Sequence, residues 1–209
     1  MPCNWSRERH WRRQGRLRIA GIDEAGRGPL AGPVVAGAVI LTPGLRCSGL
    51  NDSKKMTHDA RERWWEFLTT HSKVGYGVGI VEPREIDALN ILRATHLAMR
   101  RALEALPLPA ADFALIDGLP VRDFPIAHEA LVKGDGRCFS IAAASIIAKV
   151  TRDRLMIEAA AQYPDYGFER HKGYPTAEHL AKLEARGPCP IHRHSFAPVA
   201  QLNLFSYRT

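Results

Sequence analysis

IAGIDEAGRGPLAGPVVAGAVIL, residues 19–41, decides how this chain folds. A short apolar run ends on two acids, Asp23 and Glu24, and a glycine-rich turn follows at once. A nucleotide-binding phosphate loop would close on Gly-Lys-Ser/Thr, and that closure is missing. A dinucleotide-binding turn passes from a strand directly into a helix. Gly26, Gly28 and Ala31 imitate its spacing, but Pro33 and the Val-rich residues 34–41 read as a second buried strand. The glycines therefore join two strands. Two carboxylates would also repel a pyrophosphate that no metal accompanies. A metal resolves the conflict, because hard divalent cations such as Mg²⁺ and Mn²⁺ take carboxylate oxygens. Two such ions can activate a water and stabilise the leaving oxygen of a phosphodiester.

That chemistry needs further acids arriving from other strand ends. Asp117 follows the apolar residues 113–116, where an unpaired acid would be costly to bury. Asp135 stands in KGDG, residues 133–136, after the next apolar run. Asp153, inside a predicted helix between Arg152 and Arg154, reads instead as a salt-bridged structural acid. Neighbouring residues of a regular strand face opposite ways. Asp23 and Glu24 are thus expected to share a site only where the strand ends or bulges.

Outward from this stretch, residues 73–81 read as a third strand, 112–118 as a fourth and 126–135 as a fifth. Helical spacing runs from a cap at Thr57 or Asp59 to residue 70, and over residues 84–106 up to Pro107. A long Ala- and Ile-rich helix is expected over residues 140–162 with Ser140 as its cap, and a last one over 176–187, closed by Gly187. The pattern predicts an α/β fold: a central mixed five-stranded sheet flanked by helices, with a helical C-terminal portion.

The 209 residues, 45% hydrophobic and 24% charged, suit one soluble domain. The net charge of +7 leans toward a polyanionic partner. Residues 1–16 hold five Arg against one Glu and supply +4 of that charge. They are expected to be a flexible basic extension, with residues 17–209 as a single domain. Trp5 and Trp11 would suit an arm that stacks on nucleic acid. No secretory signal is legible, and the longest nearly apolar stretch, residues 29–41, falls short of the ~20 residues that span a bilayer. A cytoplasmic protein with no membrane contact is expected. Cys3, Cys47, Cys138 and Cys189 form no CxxC and read as reduced thiols.

In this order GIDEAGRGPLAGPVVAGAVIL, LNDSKKM, EIDALNILRATHLAM, LIDG, VKGD, AAASIIAKVTRDRLM, YGFERHKGYPTAEHL and HRHSFAPV resemble the ribonuclease HII (type 2 ribonuclease H) family, from about residue 17 to 199. The resemblance implies a ribonuclease H-like fold. It implies a metal-dependent endoribonuclease that cuts the RNA strand of RNA–DNA hybrids and nicks duplex DNA 5′ of embedded ribonucleotides, leaving 5′-phosphate and 3′-hydroxyl ends. It assigns Asp23, Glu24, Asp117 and Asp135 to two Mn²⁺ or Mg²⁺ ions. Gly26, Arg27 and Gly28 match the family's sensor of the ribose 2′-hydroxyl, the group that separates RNA from DNA. Tyr174 matches a tyrosine that packs on the sugar of the next nucleotide. Ser53, Lys54, Lys149, Thr151 and Arg152 are implied as contacts to the nucleic-acid backbone, beside Lys55 in the same polar loop. Arg193 or His192 is expected to face the nucleic acid.

Cys189, His192 and His194 lack a fourth zinc ligand, and the family carries a similar segment without metal. The related ribonuclease HIII has a separate N-terminal domain that a 16-residue tail does not provide. A non-catalytic hybrid-binding protein on the same fold is the other reading, and the complete acid set speaks against it. The C-terminal QLNLF, residues 201–205, faintly resembles a peptide that binds the sliding clamp. A monomer is expected.

Overall fold

A computed structural model describes residues 3–206, with side chains to residue 202. Five strands form one sheet: β1 (Ile19–Ala25), β2 (Val34–Leu41), β3 (Val74–Val81), β4 (Phe113–Asp117) and β5 (His128–Leu131). Their spatial order is β3-β2-β1-β4-β5. β1, β2 and β3 pair antiparallel, while β4 and β5 run parallel to β1. The glycine turn joins β1 to β2, as the sequence predicts.

The helices in chain order are α1 (Ser6–Arg13), α2 (His58–Thr70), α3 (Pro83–Leu89), α4 (Ile91–Glu104), α5 (Phe139–Gln162), α6 (Phe168–His171), α7 (Ala177–Arg186) and α8 (Ala197–Ser206). α3 and α4 cover one face of the sheet, where Ala20, Ile22, Ala36 and Ala38 meet Ile86, Ala98, Met99 and Ala102. α5 covers the other, and Val39 and Leu41 share its core with Ile146, Ile147 and Leu68 of α2. The helices press so closely that a Cβ on Gly21 or Gly37 would lie 2.0 or 2.5 Å from the α5 backbone. On the opposite face one on Gly79 would lie 2.0 Å from Ala98 O of α4. That is why the central strands are rich in glycine and alanine.

The fifth strand spans only His128–Leu131 instead of residues 126–135, because Lys133 takes φ +57° and residues 134–136 turn in a 3₁₀ helix. Three further elements differ from the sequence reading. Residues 84–106 form two helices, because Asn90 takes φ +69° and caps the second; its Oδ1 accepts from the Leu92 and Arg93 N–H groups. Ser140 lies inside the first turn of α5, after Cys138 at the N-cap. The third of these is α1. Residues 6–13, expected in a flexible extension, form a helix docked on the domain. Trp11 stacks on Phe113 with ring centroids 3.9 Å apart and donates to Glu129 at 2.7 Å. Arg7 pairs with the same Glu129, Trp5 meets Phe139 edge-on, and Glu8 is buried. The arginines dominate the composition, but tryptophans and one acid on the inner side decide the docking. Both tryptophans contact protein rather than standing free to stack on a ligand.

Candidate active site

β1 and β4 stop at different heights. Their parallel pairing ends at Ile22–Ile116, whereas β1 stays in antiparallel register with β2 through Asp23, Glu24 and Ala25. The strand carries no bulge at the two acids and ends one residue beyond them, at Ala25, where the glycine turn begins. Asp23 follows Gly21 on the α5 face, and Glu24 follows Ile22 on the α4 face. Both reach one cavity because β4 no longer flanks β1 there. The cavity, of about 400 Å³, is lined by Asp23, Glu24, the turn 25–28, Ser53, Lys54, Ser145, Lys149 and Tyr174.

Three carboxylates converge beside it. One oxygen each of Asp23, Asp117 and Asp135 lies within 4.8 Å of the others. Asp117 closes β4, and its Oδ1 accepts from the Gly134 N–H at 2.6 Å. Asp135 sits in a 3₁₀ turn over Gly134–Gly136 and accepts from the Gly136 N–H at 2.9 Å. Asp23 Oδ1 accepts from the Glu24 N–H. Glu24 lies outside the convergent three and pairs with Arg27 at 3.4 Å.

Burial, then Glu24 and Asp117, push the Asp23 carboxyl well above its ordinary range. Burial, then Asp117 and Asp52, push Asp135 up as well. Glu24 is raised chiefly by burial, with Arg27 working against it. Burial lowers the Lys54 ammonium, but Asp23 and Asp135 more than offset this and leave it raised. Lys54 Nζ lies 4.0 Å from Asp135 Oδ2. Buried acids that repel one another need cationic compensation, and a set made only of carboxylates fits a hard divalent cation.

The glycine turn is held from below by two buried arginines. Arg152 donates to the carbonyls of Ala31, Pro33 and Lys172. Arg193 donates to those of Gly26, Arg27 and Gly32. Burial pulls them to about 10 and about 9, so both stay charged at neutral pH. The expectation that Arg152 and Arg193 face nucleic acid is thus corrected: each is consumed by backbone carbonyls. His192 is buried too, against His179 and Cys189.

The remaining candidates divide. Tyr174 is 41% exposed and stands over the turn, its ring 3.8 Å from where a Cβ on Gly28 would sit. Ser53 is buried, donating its N–H to Ser145 Oγ, and Lys149 lines the cavity while pairing with Asp153 at 2.7 Å. Asp153 is salt-bridged as expected, with Lys149 as its partner. Thr151 is half-buried on α5 and does not line the cavity. Ser145 was missed; a hydroxyl set among the Ala and Ile residues of 141–148 was its only signal.

A mixed sheet of this order, with carboxylates gathered at the ends of its central strands, defines the ribonuclease H-like hydrolases of phosphodiesters. The chain belongs to the ribonuclease HII family, whose model matches residues 20–199. It is 57% identical over 190 residues to ribonuclease HII of Ruegeria pomeroyi, covering 90% of this chain and 80% of that one. The crystal structure of ribonuclease H2 from Pyrococcus horikoshii OT3 superposes with a TM-score of 0.76 at 27% identity, covering 92% of this chain and 100% of that one. The PCNA:RNase HII complex from Archaeoglobus fulgidus matches with a TM-score of 0.66 at 29% identity, over 85% of this chain and 94% of that one.

Proposed function

We propose that this ribonuclease H cuts the RNA strand of RNA–DNA hybrids and nicks duplex DNA 5′ of embedded ribonucleotides, giving 5′-phosphate and 3′-hydroxyl ends. The convergence of Asp23, Asp117 and Asp135 beside the glycine turn carries this reading. Asp23, Glu24, Asp117 and Asp135 would hold two divalent ions, Mn²⁺ or Mg²⁺. Such a pair, when bound, supplies water activation and stabilisation of the leaving 3′-oxygen. The chain's own residues position the duplex. Gly26, Arg27 and Gly28 offer backbone to the 2′-hydroxyl, and Tyr174 meets the neighbouring sugar. Lys54 and Lys149 attract the phosphates, with Ser53 beside them. No side chain here acts as a covalent nucleophile.

Asp117→Asn is expected to abolish cleavage while leaving hybrid binding largely intact. Comparable cutting by this variant with Mn²⁺ would end the assignment. Mapping cuts on a duplex with one embedded ribonucleotide, in Mg²⁺ and in Mn²⁺, tests the substrate reading.

We take residues 17–209 as one catalytic domain, acting as a monomer because one chain supplies all four acids. No helix among the described residues is long and apolar enough to cross a membrane. The four cysteines are free and buried, in keeping with a reducing compartment, and we place the protein in the cytoplasm. A sliding-clamp contact through residues 201–205 is supported by the archaeal PCNA complex. The side chains of 203–205 lie outside the described residues, and a pull-down with the clamp decides it.

A further inference from the structure

We propose that Glu8, reaching in from the N-terminal helix, is a positioning residue that holds the Asp135 segment in place for metal binding. This rests on the reading of Asp135 as a metal ligand.

The first N–H groups of any helix lack partners within it. α5 has 24 residues, and Cys138 at its N-cap offers no side-chain acceptor. Glu8 supplies one from 132 residues away: its Oε1 accepts from the Ser140 N–H at 2.9 Å. The Cys138 thiol, kept protonated by burial and by Glu8 itself, donates to the same oxygen at 3.1 Å. Glu8 is 1% exposed, and its Oε2 is buried with no hydrogen-bond partner among the described residues. A carboxylate at the positive end of a long helix is well placed electrostatically.

Glu8 does not act alone. The Asn4 N–H donates to Arg137 O at 3.2 Å, and Asn4 bridges Cys138 in parallel fashion. Trp5 packs its edge on Phe139, and the Cys3 thiol approaches Asp135 O at 4.0 Å. Residues 3–8 therefore touch positions 135, 137, 138, 139 and 140.

That segment needs holding. Lys133 enters it at φ +57°, a left-handed conformation that a non-glycine residue keeps only when its surroundings impose it. Asp135 is then held close to Asp23 and Asp117, which repel it until a cation arrives. The first turn of α5 also lies against Gly21, two residues before Asp23. Pinning this turn fixes both Asp135 and the helix that flanks Asp23.

The test uses the full chain and two readouts: Mn²⁺ affinity by calorimetry, and kcat and KM on a hybrid. Glu8→Ala is expected to weaken Mn²⁺ binding roughly 10-fold, the scale seen when a ligand's supporting partner is lost, and to lower kcat with KM little changed. Glu8→Gln keeps an acceptor for Ser140 and should recover most of the affinity. Glu8→Asp withdraws the carboxylate by one methylene, should weaken Mn²⁺ binding to an intermediate degree, and decides the matter should the alanine variant be insoluble. Leu68→Ala, buried in α2, controls for general loss of stability and should retain Mn²⁺ affinity. Parental Mn²⁺ affinity in the folded Glu8 variants would overturn the proposal. Asp117→Asn separates the two readings: if it still cleaves, the metal assignment fails. If it is inactive while the Glu8 variants behave as the parent, only the positioning role falls.

Discussion

Gly26 and Gly28 are two residues apart, and the fold treats them differently. Gly26 has φ +96°, and a Cβ there would fall 2.1 Å from Arg152 Nε. Nothing but glycine fits, and the reason is structural. Gly28 is exposed, and a Cβ there would meet only Tyr174 at 3.8 Å. The fold does not require glycine at 28, whereas a sugar edge brought against bare backbone would. Gly28→Ala should therefore change folding stability by less than about 0.5 kcal/mol. On the proposed reading its kcat/KM should fall roughly tenfold or more, equal to about 1.4 kcal/mol of transition-state stabilisation. Thermal melts beside cleavage of a single embedded ribonucleotide check both halves, and unchanged cleavage would remove Gly28 from the sugar contact.

Elements were legible where one signal dominated. β2 is an unbroken run of β-branched and small apolar residues, and it folds as predicted. α2 is capped by Thr57, one of the two caps the sequence offers, whose hydroxyl accepts from the Ala60 N–H. The α3–α4 break was not legible, because Asn90 sits within an unbroken helical periodicity and its positive φ is a tertiary outcome. Asn90→Ala removes two capping bonds and keeps the unfavourable φ, so a loss of about 1–3 kcal/mol is expected in urea unfolding. A change near zero would show that α4 holds without the cap. The acids Asp23 and Asp117 were legible because each ends an apolar run. The Arg152 and Arg193 assignments failed because a sequence does not say whether a cation faces solvent or carbonyl oxygens. α1 was missed because the arginines suggest a free arm, on which Trp5 and Trp11 read as stacking on nucleic acid and Glu8 as one acid among solvated charges.

At the scale of the whole molecule, a buried histidine cluster ties the helices and loops of the C-terminal portion to one another. His171 stacks on His179, and His179 Nε2 meets His192 Nε2 at 3.0 Å, beneath the loop that carries Tyr174. Burial, then His179, pulls His192 down to about 4 from an unfolded value near 6.5. A folded pKa below the unfolded one means that this contribution is complete above pH 6.5 and is lost as pH falls toward 4. The loss is on the order of 3 kcal/mol. Asp23 and Asp135, held above their ordinary range, act in the opposite sense: protonation relieves their repulsion as pH falls. Urea unfolding of the metal-free chain from pH 7 to 4.5, in the parent and in His192→Asn, isolates the histidine part. An identical pH slope in the two would refute it.

Arg152 and Arg193 tie six carbonyls, most of them in the turn between β1 and β2, to helix α5 and to the segment that follows α7. The turn's order is thus established during folding and does not have to be created at each encounter with a duplex. It behaves as a rigid die and not as a clasp. On the proposed reading, a sugar that does not match would meet a shape already in place, and the turn needs no closing motion to test it.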